Sequence, residues 1–333
     1  MDIINILKRS FQITRAHRAL WVFGILLALA SGGGGSGGNV ANLVTDRADR
    51  LGRPFQGDSL MIGPSEILLL VAGLLCVVLI LAVIAAIVYY VSETALYRLV
   101  DELEGTGARP TARRGFRLGW DRRALRLFLI DLVIGIPLVV GLTFLILFAL
   151  SPLLLLTVES TAARAVGVGL TVFLLLLVAL AIIVVAIAVS LLSQFWHREA
   201  AIAGKGVLDA IRGGVALVRA RPRDALAMLL VMFGIGLGWG VVLIPIVLTL
   251  AALAFLVGGL PAFLVHQITQ APIVAFLVGV PIGLIVFLVP LVFLSGLYIT
   301  FTTTAWTLAY RDLKARSTPA PAPGPAGDPL KLA

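Results

Sequence analysis

Arg113-Arg114-Gly115-Phe116-Arg117-Leu118-Gly119-Trp120-Asp121-Arg122-Arg123 is followed at once by the apolar segment Ala124–Leu150. A cationic, half-apolar stretch that runs into a long apolar one is what a membrane boundary selects. Arginine and tryptophan sit at headgroup level, and aliphatic side chains continue into hydrocarbon. The same order recurs around 3–30 and 205–256, and each copy is followed by a further apolar segment. Residues 8–25 and 113–130 align without gaps, with Arg9/Arg114, Phe11/Phe116, Arg18/Arg123, Ala19/Ala124, Leu20/Leu125, Phe23/Phe128 and Ile25/Ile130 identical. The third copy matches more weakly, through Arg221, Ala225 and Leu226. The pattern predicts a threefold repeat of two-helix units.

Composition agrees. Apolar residues make up 60% of the 333 and charged residues 13%, about half the charged share of ordinary globular chains. A soluble core cannot hide that much apolar surface, so the expected class is an all-α, polytopic helical membrane protein with interfacial amphipathic helices. The net charge of +9 does not point to nucleic acid, because the basic residues flank apolar segments. Membrane lipids, with anionic headgroups as the counter-charge, are the expected partners. The single cysteine, Cys76, lies inside an apolar run and rules out an intrachain disulfide.

About six spans are expected, over 19–31, 67–91, 124–150, 166–192, 225–256 and 272–306, within an integral membrane domain of 1–316. The first is short. Before it, Ile3, Ile4, Leu7 and Phe11 share a helical face opposite Lys8, Gln12 and Arg15, which predicts an interfacial helix. After it comes a Gly-rich extracytoplasmic loop, 31–63, and a Pro/Ala-rich tail at 317–333 is expected to be disordered. Twenty-two of the 26 Lys/Arg fall on one side of these six spans. The positive-inside rule therefore places both termini in the cytoplasm. A rival reading makes residues 1–30 a cleavable signal peptide ending at Ala28-Leu29-Ala30. The 8–25/113–130 similarity favours a retained first span.

Residues 205–219 give the clearest amphipathic pattern. Val207, Leu208, Ile211, Val215 and Val218 fall on one face, and Lys205, Arg212 and Arg219 form a basic face that can meet lipid or a partner. The same pattern also fits a helix lying flat as a topological anchor. Asp131 lies roughly 10 Å into a span and is the candidate intramembrane polar site, a proton or cation group or else the partner of a basic residue. Gly234, Gly236, Gly238 and Gly240, with Gly279 and Gly283, are candidate helix-packing positions. Pro137, Pro245, Pro281 and Pro290 lie within spans. His17, His197 and His266 show no metal-ligand spacing, no serine sits in a nucleophile elbow, and no cofactor motif occurs. His197, beside Arg198 and Glu199 at a boundary, fits headgroup binding and fits a solvated boundary residue equally well.

The stretch Gly204-Lys205-Gly206-Val207-Leu208-Asp209-Ala210-Ile211-Arg212, with Leu217-Val218-Arg219-Ala220-Arg221, is followed later by Thr304-Ala305-Trp306-Thr307-Leu308-Ala309-Tyr310-Arg311. These stretches resemble the multi-pass membrane domain attached to some bacterial glycerophosphodiester phosphodiesterases, and related integral membrane proteins. The resemblance covers mainly 195–312 and implies a membrane module without the catalytic barrel, so it brings no activity with it. The expected role is a non-catalytic scaffold or accessory factor that engages lipids or partner proteins. The alternatives are a small-solute or lipid transporter, and an enzyme acting on lipid headgroups.

Overall fold

The computed structural model of the chain describes residues 2–32, 64–158 and 160–317. The expected loop beyond Gly32 and the tail from 318 lie outside these residues. The described residues form nine helices and no strand. They are α1 (Ile3–Ala16), α2 (Arg18–Ala30), α3 (Pro64–Thr106), α4 (Ala112–Gly119), α5 (Arg122–Leu150), α6 (Thr161–Ala201), α7 (Val207–Ala220), α8 (Pro222–Thr269) and α9 (Pro272–Ser317), with a 3-10 segment at Ser151–Thr157. The chain is an all-α, polytopic membrane protein. Five elements are long and apolar enough to cross a bilayer: α3, α5 with its 3-10 extension, α6, α8 and α9, with mean hydropathies of 2.7 to 3.5.

The first expected span differs from the other five. α2 has 13 residues, about 20 Å of helix, and α1 meets it at a 96° bend. Asp2 caps α1, its carboxylate accepting from Asn5 N at 3.1 Å. At His17 the backbone leaves helical geometry, and the indole of Trp21 donates to the Thr14 carbonyl at 2.6 Å beside the break. α1 therefore lies across α2 rather than extending it.

The repeat is visible in the order of elements. Three short helices, α1, α4 and α7, each stand one or two residues before a membrane helix, separated by His17, by Trp120-Asp121 and by Arg221. Each buries small residues four positions apart: Ser10 and Thr14, Gly115 and Gly119, Ala210 and Gly214. Each is followed, one membrane helix later, by a very long helix. α3, α6 and α9 have 43, 41 and 46 residues, roughly 60–70 Å, about twice the hydrocarbon thickness. Their overhangs carry Tyr97-Arg98, His197-Arg198 and Tyr310-Arg311.

Burial concentrates in those overhangs. On α3 the residues from Val71 to Ile84 are exposed while Val91–Tyr97 are buried. On α6 and α9 the buried runs are Phe195–Ala201 and Thr304–Tyr310. Lipid covers an apolar mid-span side chain as well as protein does, so only the ends that leave hydrocarbon must find protein partners.

The chain divides into two compact units, one of Asp2–Ala124 with Leu230–Thr307, the other of Leu125–Leu229 with the chain from Leu308. In the first, α4 lies tightly on α3 and α2. A Cβ at Gly119 would strike the Val91 carbonyl, and one at Gly115 the Phe23 ring. Arg98 ties α3 to the end of α4 by donating to the Leu118 carbonyl at 2.9 Å and to Asp121 at 3.1 Å. α2 and α9 touch backbone to backbone, since a Cβ at Gly24 would meet the Gly296 carbonyl and the Thr300 hydroxyl. α8 and α9 close where Gly279 and Gly283 face Gly258, with 2.6 Å left for a Cβ at Gly258 against the Gly279 carbonyl. Gly236 faces the Tyr298 hydroxyl, whose ring stacks on Trp239 at 5.1 Å. At Gly234, Gly238 and Gly240 a Cβ would meet nothing within 4 Å, so no neighbour among the described residues uses their small size.

In the second unit, α7 packs on the α6 overhang, where Gly214 approaches Trp196 so closely that a Cβ would lie 2.8 Å from its backbone nitrogen. The 3-10 segment folds against the start of α6 at Gly167.

Candidate functional site

A buried ion-paired carboxylate sits at the end of α6. Because the apolar run Val166–Leu192 fills the bilayer, Gln194–Ala201 continues beyond it, and there the side chain of Glu199 is only 3% exposed. Three donors hold it. Lys314 Nζ reaches Oε1 at 2.9 Å, the Tyr310 hydroxyl donates to Oε1 at 3.0 Å, and Lys205 Nζ lies 2.8 Å from Oε2. Lys314 also donates to the Tyr310 oxygen at 2.6 Å. Burial pushes the Glu199 carboxyl up, but the two ammonium groups and the phenol together outweigh it and hold it below the ordinary glutamate value. The carboxylate thus joins the ends of α6 and α9 to the turn before α7. That turn passes through Gly204, whose φ of +68° lies in the left-handed region that favours glycine. Arg126 of α5 donates to the Gly204 carbonyl at 2.6 Å.

Two residues earlier, the His197 ring stands with Nε2 2.8 Å from Asp131 Oδ1. The candidate intramembrane carboxylate is therefore engaged by a buried imidazole of α6, which crosses from the next span. Arg198, 1% exposed, donates to the Gln194 carbonyl and to its amide oxygen at 3.1 Å. The sequence reading placed His197, Arg198 and Glu199 among headgroups or in solvent at a boundary, whereas the structure buries all three in protein. It also missed Tyr310 and Lys314, 111 and 115 positions from Glu199. A carboxylate satisfied by three donors is suited to joining elements. Among the described residues no three of His, Cys, Asp or Glu gather as a metal site.

The predicted basic face of α7 divides. Lys205 turns inward to Glu199, while Arg212 and Arg219 line a shallow cleft of about 610 Å³ with Ile211, Val215, Ala216 and Ala220. The buried side of α7 is Ala210, Gly214 and Leu217. On the apolar stripe Leu208 is 61% exposed. Small residues win the buried side because α7 crosses α6 at backbone distance, where valine or leucine does not fit.

The other short helices repeat this arrangement. α1 exposes Ile4 and Phe11 beside Lys8 and Arg15. α4 exposes Phe116 and Arg117, and next to it Trp120 is 74% exposed. A second cleft, about 540 Å³, is lined by Thr111, Arg113, Arg114 and Arg117 of the α4 start. Other basic residues are paired: Arg9 with Glu104, Arg98 with Asp121, Arg114 with Glu102 and Arg316 with Asp312. Among the described residues Arg113, Arg117, Arg212 and Arg219 have no such acidic partner.

One family model, DUF7544, a family of unknown function, matches residues 9–316. No curated protein and no solved structure matches the chain.

Proposed function

We propose that this chain, which belongs to the DUF7544 family, is a non-catalytic scaffold or accessory factor of the inner membrane whose three short helices bind anionic headgroups at the cytoplasmic face. The single observation that carries this reading is the recurrence, in α1, α4 and α7, of exposed large apolar side chains beside cations that the protein does not neutralise. Apolar side chains that enter the acyl boundary and arginines that stay among phosphates are the two components of interfacial binding. The likeness of 204–221 and 304–311 to phosphodiesterase-associated membrane domains supports a membrane-module role. Glu199 and its donors supply the rigid base from which α7 projects.

The test is reconstitution of the full chain into nanodiscs of phosphatidylcholine with and without phosphatidylglycerol. Mass spectrometry then reads the lipid that stays bound on release. Enrichment of phosphatidylglycerol, reduced in Arg212→Glu/Arg219→Glu, is the expected result. Unselective retention, unchanged in that variant, would overturn the reading.

A further inference from the structure

We infer that the cleft at the start of α4 holds one phosphate group, and that it takes the terminal phosphomonoester of a lipid headgroup in preference to a phosphodiester. This rests on the interfacial reading and deepens it.

The inference starts from charge. Three arginines line the cleft, but Glu102 already compensates Arg114 through its Nε at 2.8 Å. Two positive charges remain, on Arg113 and Arg117. A terminal phosphate carries close to two negative charges at neutral pH and balances them, whereas a phosphodiester carries one and leaves an arginine uncompensated. Geometry agrees. Arg113 and Arg117 are four residues apart on one helix face, about 6 Å along the axis, so their planar forks can converge on the oxygens of a single phosphate. The Thr111 oxygen accepts from Arg114 N at 3.4 Å, which leaves its hydroxyl proton free to donate, and the terminal nitrogens of Arg114 remain as donors.

The α7 cleft serves as an internal contrast. Arg212 and Arg219 are seven residues apart, roughly 10 Å, with Ile211, Val215 and Ala216 lining the space between. They can each meet a headgroup but cannot share one phosphate. The level of the α4 cleft selects the source of the ligand. Phe116, exposed on the same short helix, and Trp120, exposed just after it, place it where indole rings settle, among headgroups.

The experiment uses the full-length protein in mild detergent, titrated separately with phosphatidic acid, phosphatidylglycerol and inorganic phosphate, with bound ligand counted by native mass spectrometry. One phosphatidic acid per protein is expected, held at least about tenfold more tightly than phosphatidylglycerol. Arg113→Gln/Arg117→Gln should abolish that preference and Arg212→Gln/Arg219→Gln should keep it. These arginines are exposed, so both variants should fold, and an unchanged melting profile without lipid checks this. Equal binding of the two lipids, both lost in Arg113→Gln/Arg117→Gln, would overturn the phosphomonoester site and leave interfacial binding standing. Inorganic phosphate that binds as tightly as the lipid would overturn the lipid source. Lipid retention that no arginine variant alters would overturn both this site and the interfacial reading.

Discussion

Replacing Glu199 by alanine removes the acceptor for three donors at once, and the structure sets the size of the effect. Removing one partner of a fully buried ion pair costs about 3–5 kcal/mol, because the other charge is left unsatisfied. Here the carboxylate is 3% exposed, but the Lys205 and Lys314 side chains are 42% and 39% exposed, so both ammonium groups can turn to water. Tyr310 is buried and keeps its contact with Lys314. The expected cost of Glu199→Ala is therefore at the lower end, about 2–3 kcal/mol. Glu199→Gln retains an oxygen for Tyr310 and loses the charge, so about 1–2 kcal/mol is expected. Unfolding in mixed micelles, followed by tryptophan fluorescence, measures both. A double-mutant cycle of Glu199→Ala with Lys314→Met should show coupling of about 1 kcal/mol. If Glu199→Ala lies within about 0.5 kcal/mol of the parent, as surface substitutions do, the carboxylate does not join these helices.

Three further outcomes follow from the same contacts. Gly214→Ala puts a methyl against the Trp196 backbone and should cost about 1–3 kcal/mol, read as a lowered unfolding midpoint, whereas Gly238→Ala, in open space, should change little. Asp131→Asn loses the charged partner of His197 and should lower stability by about 1–2 kcal/mol. A solute-flux defect with stability intact would favour the transporter alternative. Because the Glu199 carboxyl is held below its ordinary value of 4.5, its contribution is complete above that pH and is lost as the pH falls through the lower folded value. The acid limb of a stability–pH curve should therefore be shallower in Glu199→Gln than in the parent.

Much of the fold can be read from the sequence, because bilayer burial writes itself into local composition. The long apolar runs, the helix start at Pro64 and the separate short helices ahead of apolar ones all follow from hydropathy, charge and periodicity over a few turns. Two features do not. The buried side of α7 depends on how closely α6 passes, which is why it carries alanine and glycine at 210 and 214, a choice periodicity does not mark. Glu199 meets donors more than a hundred residues away, and no local pattern marks them, although the recurrence of Tyr97-Arg98, His197-Arg198 and Tyr310-Arg311 marks the overhangs as equivalent places in the repeat. Among the packing glycines, Gly279 and Gly283 meet Gly258, which the GxxxG spacing did not single out. Gly234, Gly238 and Gly240 have the spacing without a facing helix.

The central claim is that α1, α4 and α7 lie on one face of the membrane. Single-cysteine labelling in a Cys76→Ser background tests it most directly, with cysteines replacing Gln12, Arg113, Arg212 and Gln270 in turn and a reagent that cannot cross the bilayer. The account predicts that the first three react from the cytoplasmic side and Gln270→Cys, between α8 and α9, from the other. Reaction of positions 113 and 212 from opposite sides would contradict it.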